Sequence, residues 1–125
     1  MAQDLRYTKD HEWVRVDGDL AIVGITDYAA HQLGDIVFVE LPEIGRALSQ
    51  KDPVGVIESV KAVSDLFAPI SGEVVEANAE LTGSPELVNS DPFGKGWMLR
   101  MRIADVGQLD GLLDQAAYEE LTREG

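Results

Sequence analysis

One lysine in this chain has surroundings that suggest chemistry. Lys61 lies within Glu58-Ser59-Val60-Lys61-Ala62-Val63-Ser64-Asp65, among small and β-branched neighbours and with a carboxylate on either side. The other lysines are Lys9, Lys51 and Lys95, so Lys61 is not part of a lysine-rich surface. A lysine amine can act as a nucleophile, form a Schiff base, or be capped by acylation. The first two roles need a desolvated amine of lowered pKa. Glu58 and Asp65, if they stand near it, favour the charged ammonium instead. That disposition suits a lysine modified once by an enzyme better than one that catalyses. Taken by itself, the simplest reading remains a solvated surface lysine.

No catalytic signature competes with it. A phosphate-binding loop fails at Gly94-Lys95, because Asn89 stands where its first glycine belongs and Gly96 where Ser or Thr is required. His11-Glu12 does not open a zinc-protease motif, since Arg15 occupies the second histidine position. There is no cysteine, which excludes disulfides, thiol nucleophiles and zinc–thiolate sites. No metal site is expected from His11 and His31. The formal net charge of −13 opposes binding to nucleic acid and keeps a small protein soluble. No apolar run approaches the roughly 18 residues of a membrane span, so no membrane association is expected. The start of the chain has neither a signal-peptide core nor an Arg/Ser-rich transit segment. A cytoplasmic bacterial protein is the expectation, or a mitochondrial one if the chain is a processed eukaryotic product.

The elements that must position Lys61 read mainly as β. With 125 residues and 45 % hydrophobic content, the chain suits one domain, residues 1–125. Glu12–Val16 and Leu20–Ile25 flank Asp17-Gly18-Asp19, a hairpin signal. Thr26 caps a short helix over Asp27–Leu33 that Gly34 ends, and a strand follows from Ile36 to Leu41 before Pro42. The stretch around Lys61 is ambiguous. Val56, Ile57, Val60, Val63 and Phe67 fall at helical spacing, while Pro53, Gly55 and the run of β-branched residues favour two strands. Pro69–Gly72 reads as a turn and Glu73–Ala77 as a strand. Asn78–Pro92 reads as polar turns anchored by Leu81, Leu87 and Val88. Gly96–Ile103 is a further strand, and two short amphipathic helices close the chain, around Leu109–Leu113 and Ala117–Leu121. Trp13 and Trp97 are expected in the core, and His31 on an exposed helix surface.

Several long stretches, in order, resemble the H proteins of the glycine cleavage system, a family of lipoyl carriers. They are Tyr7-Thr8-Lys9-Asp10-His11-Glu12-Trp13-Val14, Gly24-Ile25-Thr26-Asp27-Tyr28-Ala29, Leu33 to Pro42, Glu58 to Asp65, Ala68-Pro69-Ile70-Ser71-Gly72-Glu73-Val74, Pro85-Glu86-Leu87-Val88-Asn89 and Asp91-Pro92-Phe93-Gly94-Lys95-Gly96-Trp97. The resemblance implies a flattened barrel-sandwich hybrid of the lipoyl/biotinyl kind, with a short helix in its N-terminal half and helices at the C-terminus. It moves Lys61 to the tip of a β-turn and makes it the residue that receives lipoic acid in amide linkage. Glu58, Ser59, Val60, Ala62 and Asp65 then flank the attachment point as a recognition segment.

The same resemblance implies a non-catalytic carrier. A pyridoxal-phosphate glycine decarboxylase (P protein) loads an aminomethyl group onto the lipoyl disulfide. A tetrahydrofolate-dependent aminomethyltransferase (T protein) removes it, and dihydrolipoamide dehydrogenase (L protein) reoxidises the dithiol. Lipoyl-transferring enzymes are further partners, and a monomer is expected. The loaded arm folds back into a surface cleft, with Glu12 and Asp65 as polar contacts and Ile25, Thr26, Asp27 and Gln32 along it. Gln32 stands where a family member can offer histidine, with His31 before it. Gln50-Lys51-Asp52 departs from the glycine that lipoyl domains often place before the acid, which implies a different turn there. A relay donor of lipoate, or a carrier in another lipoyl-dependent redox pathway, is the alternative within the same fold. A biotin carrier fits less well, because Val60 and Ala62 flank the lysine where such domains place methionine. An unmodified interaction domain is the alternative from a different class.

Overall fold

The computed structural model describes residues 5–123. Nine strands form two antiparallel sheets. The larger has the order β1-β2-β3-β9-β8-β5, from β1 (Leu5–Tyr7), β2 (Glu12–Asp17), β3 (Leu20–Ile25), β5 (Ala47–Leu48), β8 (Gly72–Ala77) and β9 (Leu99–Ile103). The smaller has the order β4-β6-β7, from β4 (Ile36–Glu40), β6 (Pro53–Ser59) and β7 (Val63–Phe67). The architecture is mainly β, with the two sheets packed together and no closed barrel. Helices α1 (Asp27–Leu33), α2 (Glu80–Gly83), α3 (Leu87–Ser90) and α4 (Gln115–Arg123) join them, with a 3₁₀ turn over Val106–Gly111.

Alternation decides which side chains meet. Along β2 and β3, Val14, Ala21, Val23 and Ile25 face the smaller sheet and join Ile36, Val39, Ile57 and Leu66 in the main core. Trp13 and Ile22 point the other way, into a second cluster with Tyr7 and Tyr118 that α4 covers. The larger sheet is therefore buried on both faces here, which explains three successive buried residues, Glu12, Trp13 and Val14. Trp13 is fully buried and its Nε1 donates to Pro92 O at 3.0 Å, while Trp97 is partly buried against the same cluster.

The β2–β3 hairpin and α1 form as the local signals require. Asp17 pairs with Leu20, and the turn takes positive φ at Gly18, where glycine has no Cβ penalty. Thr26 Oγ1 accepts from Ala29 N, and Gly34 closes the helix with its N–H on Ala30 O. Pro53 starts β6, where a missing N–H is tolerated.

Other segments differ from the sequence reading. The polar stretch after β8 contains α2 and α3, each of four residues and held by Leu81 and Val88, which are fully buried. Such short turns have no periodicity to detect. Strand β9 begins at Leu99, because Gly96 to Met98 make only isolated bonds such as Met98 N to Val23 O. The first of the two C-terminal helices is the 3₁₀ turn, which contains Gly107 and Gly111. Lys51 takes the left-handed φ of 75° that a glycine would adopt, with Asp52 N on Ser49 O and Ser49 N on the Asp52 carboxylate. The lysine therefore accepts a glycine-like turn and does not impose a new one.

Candidate functional site

Lys61 stands at the tip of a hairpin. Glu58 pairs with Val63, and Ser59 N donates to Ala62 O at 2.8 Å, so Val60 and Lys61 are the two turn residues. Two-residue turns ordinarily use positive φ to match the strand twist. Neither Val60 nor Lys61 has it. The Ser59 hydroxyl compensates by accepting from Ala62 N at 3.0 Å and from Lys61 N at 3.3 Å. A β-branched residue and a lysine thereby occupy a position that would otherwise call for Asn-Gly.

The turn rests on a fixed platform. Val60 N donates to Asp35 O at 3.1 Å, between α1 and β4. The Asn89 side chain holds that connection from both sides, with Nδ2 on Gly34 O and Oδ1 accepting from Ile36 N, each at 2.8 Å. Gly34 has φ of 84°, and a Cβ built on it would stand 3.1 Å from Lys61 Cε. The lysine stem thus lies along a glycine that combines a helix stop with room for the chain above it. Lys61 is exposed and, among the described residues, makes no ion pair.

The register settles the flanking residues. Glu58 and Asp65 project from one face of the smaller sheet, because Glu58 opposes Val63 and Asp65 opposes Val56. Ser59 is buried, whereas Val60, Ala62 and Asp65 are exposed. A helix would have placed the two carboxylates one turn above and below the amine. The hairpin instead sets them along a sheet face beneath it.

Glu12, Ile25, Thr26 and Asp27 come together where β3 gives way to α1. Glu12 opposes Ile25, and Thr26 N donates to His11 O at 2.9 Å. Glu12 is 2 % exposed and lies between the sheets. Its oxygens accept from Thr8 Oγ1 at 2.7 Å and from Phe67 N at 3.2 Å. Burial pushes its carboxyl up to about 7, against the lowering effect of those two bonds, and Asp10 adds to the rise. Ile25 and Thr26 are buried, while Asp27 and Gln32 are exposed. Gln32 lies two residues before Gly34, in the last turn of α1. Asp27 lines a cavity of about 1060 Å³ with Tyr28, Asp35 and Tyr118, and Glu12 lines another of about 440 Å³ with Tyr7, Lys51 and Phe67.

Three supporting residues escaped the sequence reading. Ser59 was legible as part of the segment but not as the group that closes the turn. Asn89 ends a recognisable stretch, yet its two bonds span 55 positions and 53 positions of sequence. Tyr118 is the third. Its hydroxyl meets Thr26 Oγ1 at 2.7 Å and His11 Nδ1 at 2.8 Å, and its ring stacks on Tyr7 at 4.5 Å, which docks α4 onto the start of α1. Burial raises its hydroxyl to about 12. His31 is exposed, and among the described residues no group of three or more His, Asp or Glu is placed to hold a metal ion. No helix among the described residues is long and apolar enough to cross a membrane.

What this arrangement can do chemically is present an exposed amine on a fixed turn; among the described residues no carboxylate stands within ion-pair distance of it. Comparison with known proteins points the same way. The profile of the family described as glycine cleavage H-protein matches residues 5–125. The glycine cleavage system H protein of Symbiobacterium thermophilum is 58 % identical over 122 residues, covering 98 % of this chain and 95 % of that protein. That of Phenylobacterium zucineum is 58 % identical over 115 residues, covering 92 % and 95 %. A crystal structure of a glycine cleavage system H protein from Mycobacterium marinum superposes with a TM-score of 0.89 at 38 % identity, covering 98 % of this chain and 99 % of that one.

Proposed function

The chain belongs to the glycine cleavage H-protein family, and from that premise we propose that Lys61 is the residue that carries lipoate, in amide linkage. Its role is that of a non-catalytic lipoyl carrier of the glycine cleavage system. The observation that carries the assignment of Lys61 is its place: an exposed lysine, unpaired among the described residues, at a two-residue turn bolted to the α1–β4 connection.

These residues fit the group. Amidation removes the ammonium charge, and among the described residues Lys61 has no ion pair to lose by it. When bound, lipoate supplies a disulfide that can take up the aminomethyl group of glycine, give it up for transfer to tetrahydrofolate, and be regenerated by oxidation. The protein's own part is presentation. Ser59 and Asp35 fix where the arm begins, and a fixed origin raises the effective concentration of a tethered group at a docked partner. Glu58, Ser59, Val60, Ala62 and Asp65 form the segment that a modifying enzyme reads. Of the residues we assign to a returning arm, Asp65, Asp27 and Gln32 are exposed along its path, and Glu12, Ile25 and Thr26 are buried and back it from within.

The partners in this reading are the P, T and L proteins and the lipoyl-transferring enzymes, met by one domain, residues 1–125, acting as a monomer. Bacterial relatives support a cytoplasmic setting. Intact mass of protein from a lipoylation-competent host tests the assignment. One lipoyl group is expected on the wild type and none on Lys61→Arg, which keeps the charge but cannot form the amide. A lipoyl group retained by the variant would refute it.

A further inference from the structure

The outward face of the smaller sheet runs up to Lys61, and the apolar side chains nearest that lysine are exposed. Register sets two rows across β4, β6 and β7: Phe38–Glu58–Val63 and Glu40–Val56–Asp65. Directly paired residues share a face, so all six point outward, opposite the buried Val39 and Ile57. Phe38 is 47 % exposed, Val63 67 % and Val60, in the turn beside Lys61, 69 %. Among the described residues nothing covers these three side chains, and such a cluster beside a site of chemistry marks a contact surface.

Its chemistry selects the partner. Glu40, Glu58 and Asp65 alternate with the apolar side chains, Glu58 on the central strand β6 between Phe38 and Val63, and make the face a chequered one. A second copy of a chain of formal net charge −13 would set these acids against their own kind. The matching surface interleaves apolar and basic groups. Distance then chooses among enzymes. A lysine amine lies roughly 6 Å from its own Cα, so an enzyme forming a bond at Nζ must press against the turn and the sheet beneath. Enzymes acting at the far end of a lipoyl arm work well beyond that reach and can leave the sheet untouched.

We propose that the face formed by Phe38, Val60 and Val63, interleaved with Glu40, Glu58 and Asp65, docks the enzyme that acylates Lys61. This rests on Lys61 being the attachment point. Phe38 and Val63 act as specificity residues, not catalytic ones. In the step they serve, the ammonium first gives a proton to a base of the partner or to water. The amine then attacks the carbonyl carbon of a lipoyl group held by the enzyme as a mixed anhydride with a nucleotide phosphate. The C–N bond forms, the bond from that carbon to the phosphate oxygen breaks, and the phosphate leaves with the bonding pair. A second proton leaves the nitrogen as the amide forms, and no oxidant or reductant is involved.

The full unmodified chain, a purified lipoate–protein ligase, lipoate and ATP provide the test, with initial rates read by intact mass. Threonine keeps strand propensity, so Phe38→Thr, Val63→Thr and the pair should fold with unchanged thermal midpoints. The pair is expected to lower kcat/KM by about tenfold or more, chiefly through KM. Val106→Thr, at a site 69 % exposed on the 3₁₀ turn, is expected to leave the rate unchanged. Lys61→Arg should compete with the wild type for the ligase, and adding the pair to it should abolish the competition. Rates for the pair within about twofold of wild type would overturn the docking surface alone. So would a loss confined to glycine cleavage by already lipoylated protein, or a wild-type dimer that the pair dissolves. A wild type that the ligase never modifies overturns the attachment reading, and the docking surface with it.

Discussion

The buried Glu12 carboxyl makes stability fall as pH rises through the weakly acidic range, the reverse of the usual behaviour of a carboxylate. Its ionisation is raised from 4.5 to about 7, chiefly by burial. Below about pH 4.5 the group is protonated in both states, and the native state gains its full advantage. Between 4.5 and about 7 the unfolded chain has lost that proton and the folded one still holds it, so stability declines with pH. Above about 7 both are ionised and the decline ends. At 1.36 kcal/mol per pH unit the whole change is about 3 kcal/mol. Glu12→Gln removes the titration while nearly keeping the shape. It also turns an amide N–H₂ or oxygen toward Thr8 and Phe67, a cost that is constant with pH. His11 acts with the opposite sign, because burial lowers its pKa, but it is common to both proteins and cancels in their difference. Urea unfolding of both from about pH 4 to pH 8 should show the variant gaining about 3 kcal/mol on the wild type, most steeply between 4.5 and 7. Parallel profiles across that range would refute a carboxyl held protonated by burial.

Three further outcomes follow from the platform beneath Lys61. Ser59→Ala removes the hydroxyl that receives Lys61 N and Ala62 N; it should cost about 1 kcal/mol, and hydrogen exchange should quicken at those two amides while the β6 interior stays protected. Gly34→Ala puts a Cβ on a residue at φ of 84° and 3.1 Å from Lys61 Cε. The lysine can swing aside, so the backbone dominates, and a loss of about 1–3 kcal/mol is expected by thermal or urea unfolding. Tyr118→Phe keeps the stack on Tyr7 but deletes the contacts to Thr26 and His11. A loss of about 1–3 kcal/mol should appear together with faster exchange at the start of α1.

Much of this molecule can be read locally. Alternation in Glu12–Val16 and Leu20–Ile25, an Asp-Gly between them, and Thr26 with Gly34 around seven helical residues define a hairpin and a helix, because turns and caps are satisfied by near neighbours. Around Lys61 local pattern fails, since Val56, Ile57, Val60, Val63 and Phe67 suit either period. Pairing with β4 resolves it, and that partner lies some twenty residues away. The short α2 and α3 are illegible for a related reason: four residues have no period, and burial of Leu81 and Val88 holds them.

The sequence by itself determined that one lysine stands apart, that no familiar catalytic set accompanies it, and that the surrounding stretches belong to a carrier. Those conclusions need only residue types and their order. Tertiary structure decided the rest: that Asn89 and Asp35 anchor the hairpin tip the resemblance implied for Lys61, and that Glu58 and Asp65 share a sheet face with Phe38 and Val63. Each of these depends on hydrogen bonds or register between segments far apart in the chain. Spacing along one strand cannot reveal which residue stands opposite it.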